Sequence, residues 1–235
     1  MIVWKAILLV YRSINVTYPG SWWRPRRFTH TLSEDELADA VNSFRQFAPL
    51  VEELSNGEAG ISQDIIYPDR CLDSLTSMGR AGYWPSPDDT RQELDEFAPA
   101  GKYDSIFVLW PQTNLKTGRQ IHSGGWGLGV RATDWSNGAT YATVANARRA
   151  IWDVPVVGEV WLHEWLHGVC RYFEERGYTM PHGDADGGGR HGYVQSATTG
   201  WTEYYRDLMT GQVSEDGAHL GITAEAWRER LARVE

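Results

Sequence analysis

Apolar and polar positions change period several times along the chain, and each change predicts a new element. The stretch IVWKAILLVY (residues 2–11), with INVTY just after it, is dense in β-branched and aromatic residues and predicts one long strand. The segment RPRRFTHT then leads to a helix start, where Ser33 and Glu36 have the spacing of a capping box. Apolar residues recur at helical intervals through LADAVNSFRQFAPLVEELSNG and stop at Asn56-Gly57. AGISQDIIYP predicts a second strand and the apolar run YDSIFVLWP a buried third, with an acidic helix from about Asp88 to Phe97 between them. GGWGLGVRATDWSNGATYATVAN predicts a hairpin or paired strands, because Asn137-Gly138 is a turn signal between β-prone segments. Helical periodicity returns from about Val157 to Arg176 and ends at Gly177, a residue suited to a left-handed cap. A stretch rich in Gly, Asp and His follows, and then two helices, GWTEYYRDLMTG and TAEAWRERLARVE.

Strands interleaved with helices and followed by helices predict an α+β fold, one domain over residues 1–235 with an N-terminal sheet-and-helix lobe to residue 177 and a smaller, mainly helical lobe from 178. A length of 235 residues with 42% hydrophobic and 23% charged residues is enough to bury a full core. The lysine in the first apolar stretch and the lack of a small-residue cleavage site favour a strand over a signal peptide. With a net charge of −9 and no basic cluster longer than Arg24-Pro25-Arg26-Arg27, a nucleic-acid partner is not expected, nor is a membrane one. The two cysteines, Cys71 and Cys170, suit one bridge or two buried thiols. Of the twelve tryptophans, Trp22, Trp23, Trp126 and Trp135 fall in loop or edge segments, where they could line a groove; core packing is the alternative.

The chemistry concentrates in VWLHEWLHGVCRYFEERGYTMPHGDADGGGRHGY, which holds four of the seven histidines. On a helix, His163 and His167 lie one turn apart on one face and can direct both imidazoles at one ion. Glu164 is offset by about 100° and can face water rather than the metal. The helix is amphipathic, with Val160, Leu162, Leu166 and Val169 available for packing, which favours a built site over a chance match on an exposed helix.

In this His163-Glu164-Trp165-Leu166-His167 motif the sequence resembles the zincin metallopeptidases. The resemblance implies a zincin-like α+β fold: a twisted mixed sheet whose edge strand borders the cleft, an active-site helix, and a C-terminal lobe giving the third zinc ligand. It implies zinc as cofactor, Glu164 as general base and a monomer acting on a peptide or protein substrate. GGWGLGV is the candidate edge strand, its glycines leaving the backbone open to an extended peptide. The sequence departs from the longer metzincin pattern, because Cys170 and Phe173 stand where a glycine and the third ligand belong. Glu174 and Glu175 come too early for a thermolysin-like ligand, which leaves Glu203. By ligand preference alone, Asp184 and His191 lead as third ligand, followed by Asp186, His182 and Glu203. Tyr193 is placed to donate to a developing oxyanion, or else packs under the loop. DADGGG also offers hard oxygens for calcium, or a tight exposed turn. The rival reading is a zinc-stabilised, non-catalytic module binding glycan or protein, with a metal-dependent hydrolase of other substrates as a further option.

Overall fold

The computed structural model describes residues 1–19, 25–125, 127–152 and 155–229. In chain order the elements are β1 (Ile2–Val10), β2 (Ser13–Tyr18), β3 (Arg26–Thr31), α1 (Glu34–Leu54), β4 (Ala59–Ile66), β5 (Thr76–Ser77), β6 (Tyr83–Trp84), α2 (Arg91–Phe97), β7 (Ser105–Trp110), β8 (Gly127–Val130), β9 (Thr140–Ala145), α3 (Arg149–Trp152), α4 (Glu159–Glu174), α5 (Thr202–Thr210), β10 (Val213–Glu215), β11 (Ala218–Leu220) and α6 (Ala224–Arg228). The architecture is mixed α+β. A five-stranded sheet runs in the order β4-β1-β7-β9-β8, parallel throughout except for β8, which pairs antiparallel with β9 at one edge.

Alternation along the central strands divides the core in two. Ala6, Leu8 and Val10 of β1, Phe107 and Leu109 of β7, and Ala142 and Val144 of β9 face the cluster built on α1 and α4. Ile7 and Leu9, Ile106 and Val108, and Tyr141 face the opposite cluster, with Leu94 of α2. A parallel sheet covered on both faces needs apolar residues at consecutive positions, which is why β7 reads as an unbroken apolar run.

Helix α1 begins where expected: the Ser33 hydroxyl accepts from the Glu36 amide and the Glu36 carboxylate accepts from the Ser33 amide. It carries Pro49 in its interior and ends at left-handed Asn56 and Gly57. The long first strand of the sequence reading is two strands. The chain leaves the sheet after Val10, and β2 pairs antiparallel with β3, so RRFTHT is a strand and not a lead-in to the helix. The predicted β8–β9 hairpin forms, but Asn137-Gly138 closes a single 3-10 turn inside a longer connection and is not a two-residue hairpin turn. A second hairpin, β10–β11, turns at Asp216-Gly217 between the last two helices, where no strand was expected. The segment TAEAWRERLARVE is helical over Ala224–Arg228, and its last six residues lie outside the described ones.

Cys71 and Cys170 are both free thiols. Trp4, Trp84, Trp110, Trp152, Trp161, Trp165 and Trp227 are core residues. Trp135, though exposed, donates its indole N–H to Asp88 at 2.7 Å, while Trp22, Trp23 and Trp126 fall outside the described residues.

Candidate metal centre

Helix α4 is anchored by the residues its motif leaves unassigned. Trp165 stacks on Trp227 at 6.0 Å, meets Trp4 edge-on at 5.5 Å and donates its indole N–H to the Ser105 hydroxyl at 2.9 Å. One turn earlier, Trp161 donates to Ser43 at 3.2 Å. These large, nearly fully buried side chains fix the rotation of the helix, each with its polar atom satisfied. His163, Glu164 and His167 are thereby turned to a cleft of about 730 Å³ bordered by β8.

Glycine is required on that border. A Cβ at Gly127 would overlap the Glu164 side chain, and one at Gly129 would overlap the helix backbone beside Glu164 and His167. The two glycines therefore let the edge strand lie directly on the motif, and the Gly129 amide donates to the Glu164 carboxylate.

Around the histidines the geometry separates two roles. His163 Nε2 lies 3.5 Å from Asp186 Oδ1 and His167 Nε2 lies 3.9 Å from Asp186 Oδ2, and the donor atoms of these three residues all fall within 4.8 Å of one another. Ligand atoms bound tetrahedrally to a zinc ion at ~2.0–2.1 Å are about 3.4 Å apart, so Asp186 already sits near bonding spacing. The other ring nitrogens are occupied. His167 Nδ1 bonds Asp184 Oδ1 at 2.7 Å, and His163 Nδ1 bonds the Tyr205 hydroxyl at 2.8 Å. Outer partners of this kind fix which imidazole nitrogen is free for a metal. The 3-10 turn Asp184–Asp186, entered through left-handed Gly183 and with Asp184 itself at φ 39°, brings the two carboxylates to different faces of the pair.

No family model matches the chain, and no curated protein matches it.

The sequence-derived candidates fall into place as follows. Asp184, a leading candidate for third ligand, holds the outer nitrogen of His167, and Asp186 takes the position facing both histidines. His191, the other leading candidate, directs Nε2 to the His182 carbonyl at 3.0 Å and stacks on Tyr204, and is not brought to the pair. His182 is exposed and donates its amide to Glu215, and Glu203 is exposed on α5. Tyr193 donates its hydroxyl to Asp207 and packs against Tyr204, the packing alternative rather than the oxyanion one. Tyr205 was missed. The signal for it was the helical spacing of Trp201, Tyr204, Tyr205 and Leu208, which gives α5 one face toward the core beside α4.

Electrostatics follow from burial. The Glu164 carboxyl is pushed up to about 7, chiefly by desolvation, with the charge of Asp186 adding to it while His167 and the Gly129 amide oppose. Burial and the neighbouring His167 lower the pKa of His163. Burial also acts against the charged form of His167, but the bond to Asp184 and the surrounding carboxylates outweigh it and raise the pKa.

Proposed function

We propose that the chain is a zinc-dependent peptidase of zincin type, in which His163, His167 and Asp186 hold the metal. The observation that carries this reading is the division of labour around the pair: two Nε2 atoms and one carboxylate converge, while Asp184 and Tyr205 hold the outer nitrogens. Two imidazoles and a carboxylate form a donor set that suits zinc and leaves a fourth position for water or substrate. Calcium suits less well, since it takes six to eight oxygens and imidazole is not among its usual ligands. The antiparallel edge strand beside the motif helix and the helical segment that follows it also support the zincin reading.

A zinc ion bound there supplies Lewis acidity, polarising a scissile carbonyl and acidifying water. Glu164, buried against β8, takes a proton from the attacking water on its carboxylate and returns it to the leaving amine. Asp184 and Tyr205 keep the imidazoles in the tautomer whose Nε2 accepts rather than donates. An extended peptide lies along β8, whose outer edge pairs with no strand among the described residues.

The test is Glu164→Gln, which keeps the shape but cannot carry the proton. Zinc content and the fold are expected to be retained, with hydrolysis of a broad library of unfolded proteins and peptides falling by at least ~10². Equal zinc-dependent cleavage by both proteins removes Glu164 from the mechanism, and an inert wild type shifts the reading to the non-catalytic module.

A further inference from the structure

A third carboxylate in the cleft has no part in this chemistry. Glu159 is the first residue of α4, one helical turn before His163 and on the same face, and it lines the cleft. The residue is only 7% exposed, yet its carboxylate is half satisfied: Oε1 accepts the Trp201 amide at 2.7 Å, and Oε2 is buried with no hydrogen-bond partner among the described residues. Room for the carboxylate depends on Gly200, where a Cβ would overlap both oxygens. Burial raises its pKa, against the opposing amides of Trp201 and Val156. A buried carboxylate with a free oxygen has more to gain from a cation than an exposed one.

The surroundings narrow what that cation can be. Ile151, Pro155, Val160 and Trp201 give the same cleft apolar lining, and Trp201 adjoins the Glu159 carboxylate. Three carboxylates line the cleft, Glu159, Glu164 and Asp186, and no lysine or arginine is among its described lining residues. Apolar walls that end in a carboxylate suit an alkyl stem tipped with an ammonium group, and the protein's net charge of −9 attracts such ligands.

We propose that Glu159 is a specificity determinant of this cleft, its carboxylate receiving an ammonium group carried by a residue that flanks the scissile bond. The inference rests on the peptidase reading. The ammonium can come from a lysine side chain or from a free peptide N-terminus, which share the same recognition chemistry.

Binding rather than turnover tests it. Hydroxamates, which chelate zinc, are made with the flanking residue on either side of the chelating group, as Nα-acetyl-lysine, Nα-acetyl-norleucine or norleucine with a free α-amine. Calorimetry on the zinc-loaded protein is expected to show one cationic compound binding at least about tenfold tighter than its neutral acetyl-norleucine counterpart, and which one does so names the source. Glu159→Gln, which can still accept the Trp201 amide, is expected to lose that preference while keeping its zinc, its melting temperature and its affinity for the neutral compound. Equal binding of cationic and neutral compounds by the wild type, or a preference that survives Glu159→Gln, overturns the inference and leaves the peptidase reading standing. Failure of every compound to bind in a zinc-dependent way overturns both.

Discussion

Buried carboxylates occur on both faces of the sheet, and the two groups are resolved differently. Below β1 and β7, Glu93 of α2 accepts from the Tyr11 hydroxyl and from Arg70, which also donates to the Asp89 carbonyl at 2.6 Å. Asp89 accepts from Ser74 at 2.6 Å, from Thr76 at 2.8 Å and from the Ser86 amide at 2.7 Å. Every carboxylate there has its donors, and Arg70 supplies the positive charge. In the cleft, the Nε2 atoms of His163 and His167 face Asp186 instead, and the Arg171 guanidinium lies 3.8 Å from Asp184 on the outer side of His167. A network that contains its own cation is complete as structure. On the proposed reading, the one whose acceptors converge is completed by a cation from outside.

The comparison breaks if the two clusters respond alike to loss of their key residues. His163→Ala or His167→Ala is expected to lower zinc affinity by orders of magnitude, read by elemental analysis after dialysis, with the fold retained. Arg70→Leu is expected to do the reverse, costing about 3–5 kcal/mol by leaving Glu93 buried and unpaired, while zinc content per folded molecule stays the same. Calorimetric or denaturant unfolding of both sets of variants checks the pair.

The next effect is a pH dependence in the metal-free protein. Because burial raises the Glu164 pKa from 4.5 to about 7, the native state holds a proton that the unfolded chain gives up between those values. This contribution to stability is fully present below pH 4.5 and is lost as pH rises through about 7. Glu164→Gln lacks it. The variant is expected to match wild type near pH 4.5 and to exceed it above pH 7 by up to about 3 kcal/mol, measured by urea unfolding across the range. A constant difference at every pH removes the burial argument.

Smaller still are the outer partners. Asp184→Asn and Tyr205→Phe are each expected to weaken zinc binding by about 10–100-fold, less than Asp186→Ala. A larger loss for Asp184→Asn than for Asp186→Ala reverses the roles of the two aspartates.

Much of this arrangement was legible in the chain. The capping box of α1, the apolar run of β7 and the Gly177 stop are local signals that the fold obeys. The motif placed His163, Glu164 and His167 on one helix because helical spacing is fixed by geometry. The choice between Asp184 and Asp186 was not legible, since both are carboxylates two residues apart, and the left-handed turn at Gly183 and Asp184 that separates them has no signature distinguishing one from the other. His191 is a good zinc donor by type, but a neighbouring carbonyl and Tyr204 occupy it, and neither contact has a sequence signature. The β2–β3 pair was hidden because its first strand follows β1 without a Gly or Pro break. The β10–β11 hairpin did carry a signal, Asp216-Gly217, in a segment too short to read as two strands.

The most direct test of the central claim is a crystal structure of the zinc-loaded protein with the ion located by its anomalous scattering. The account predicts one ion about 2.0–2.2 Å from the Nε2 atoms of His163 and His167 and from an Asp186 carboxylate oxygen, with a fourth position open to solvent and Asp184 still on His167 Nδ1. An ion bound by Asp184 or His191 in place of Asp186, a fourth protein ligand closing the site, or no ion between the two histidines would contradict it.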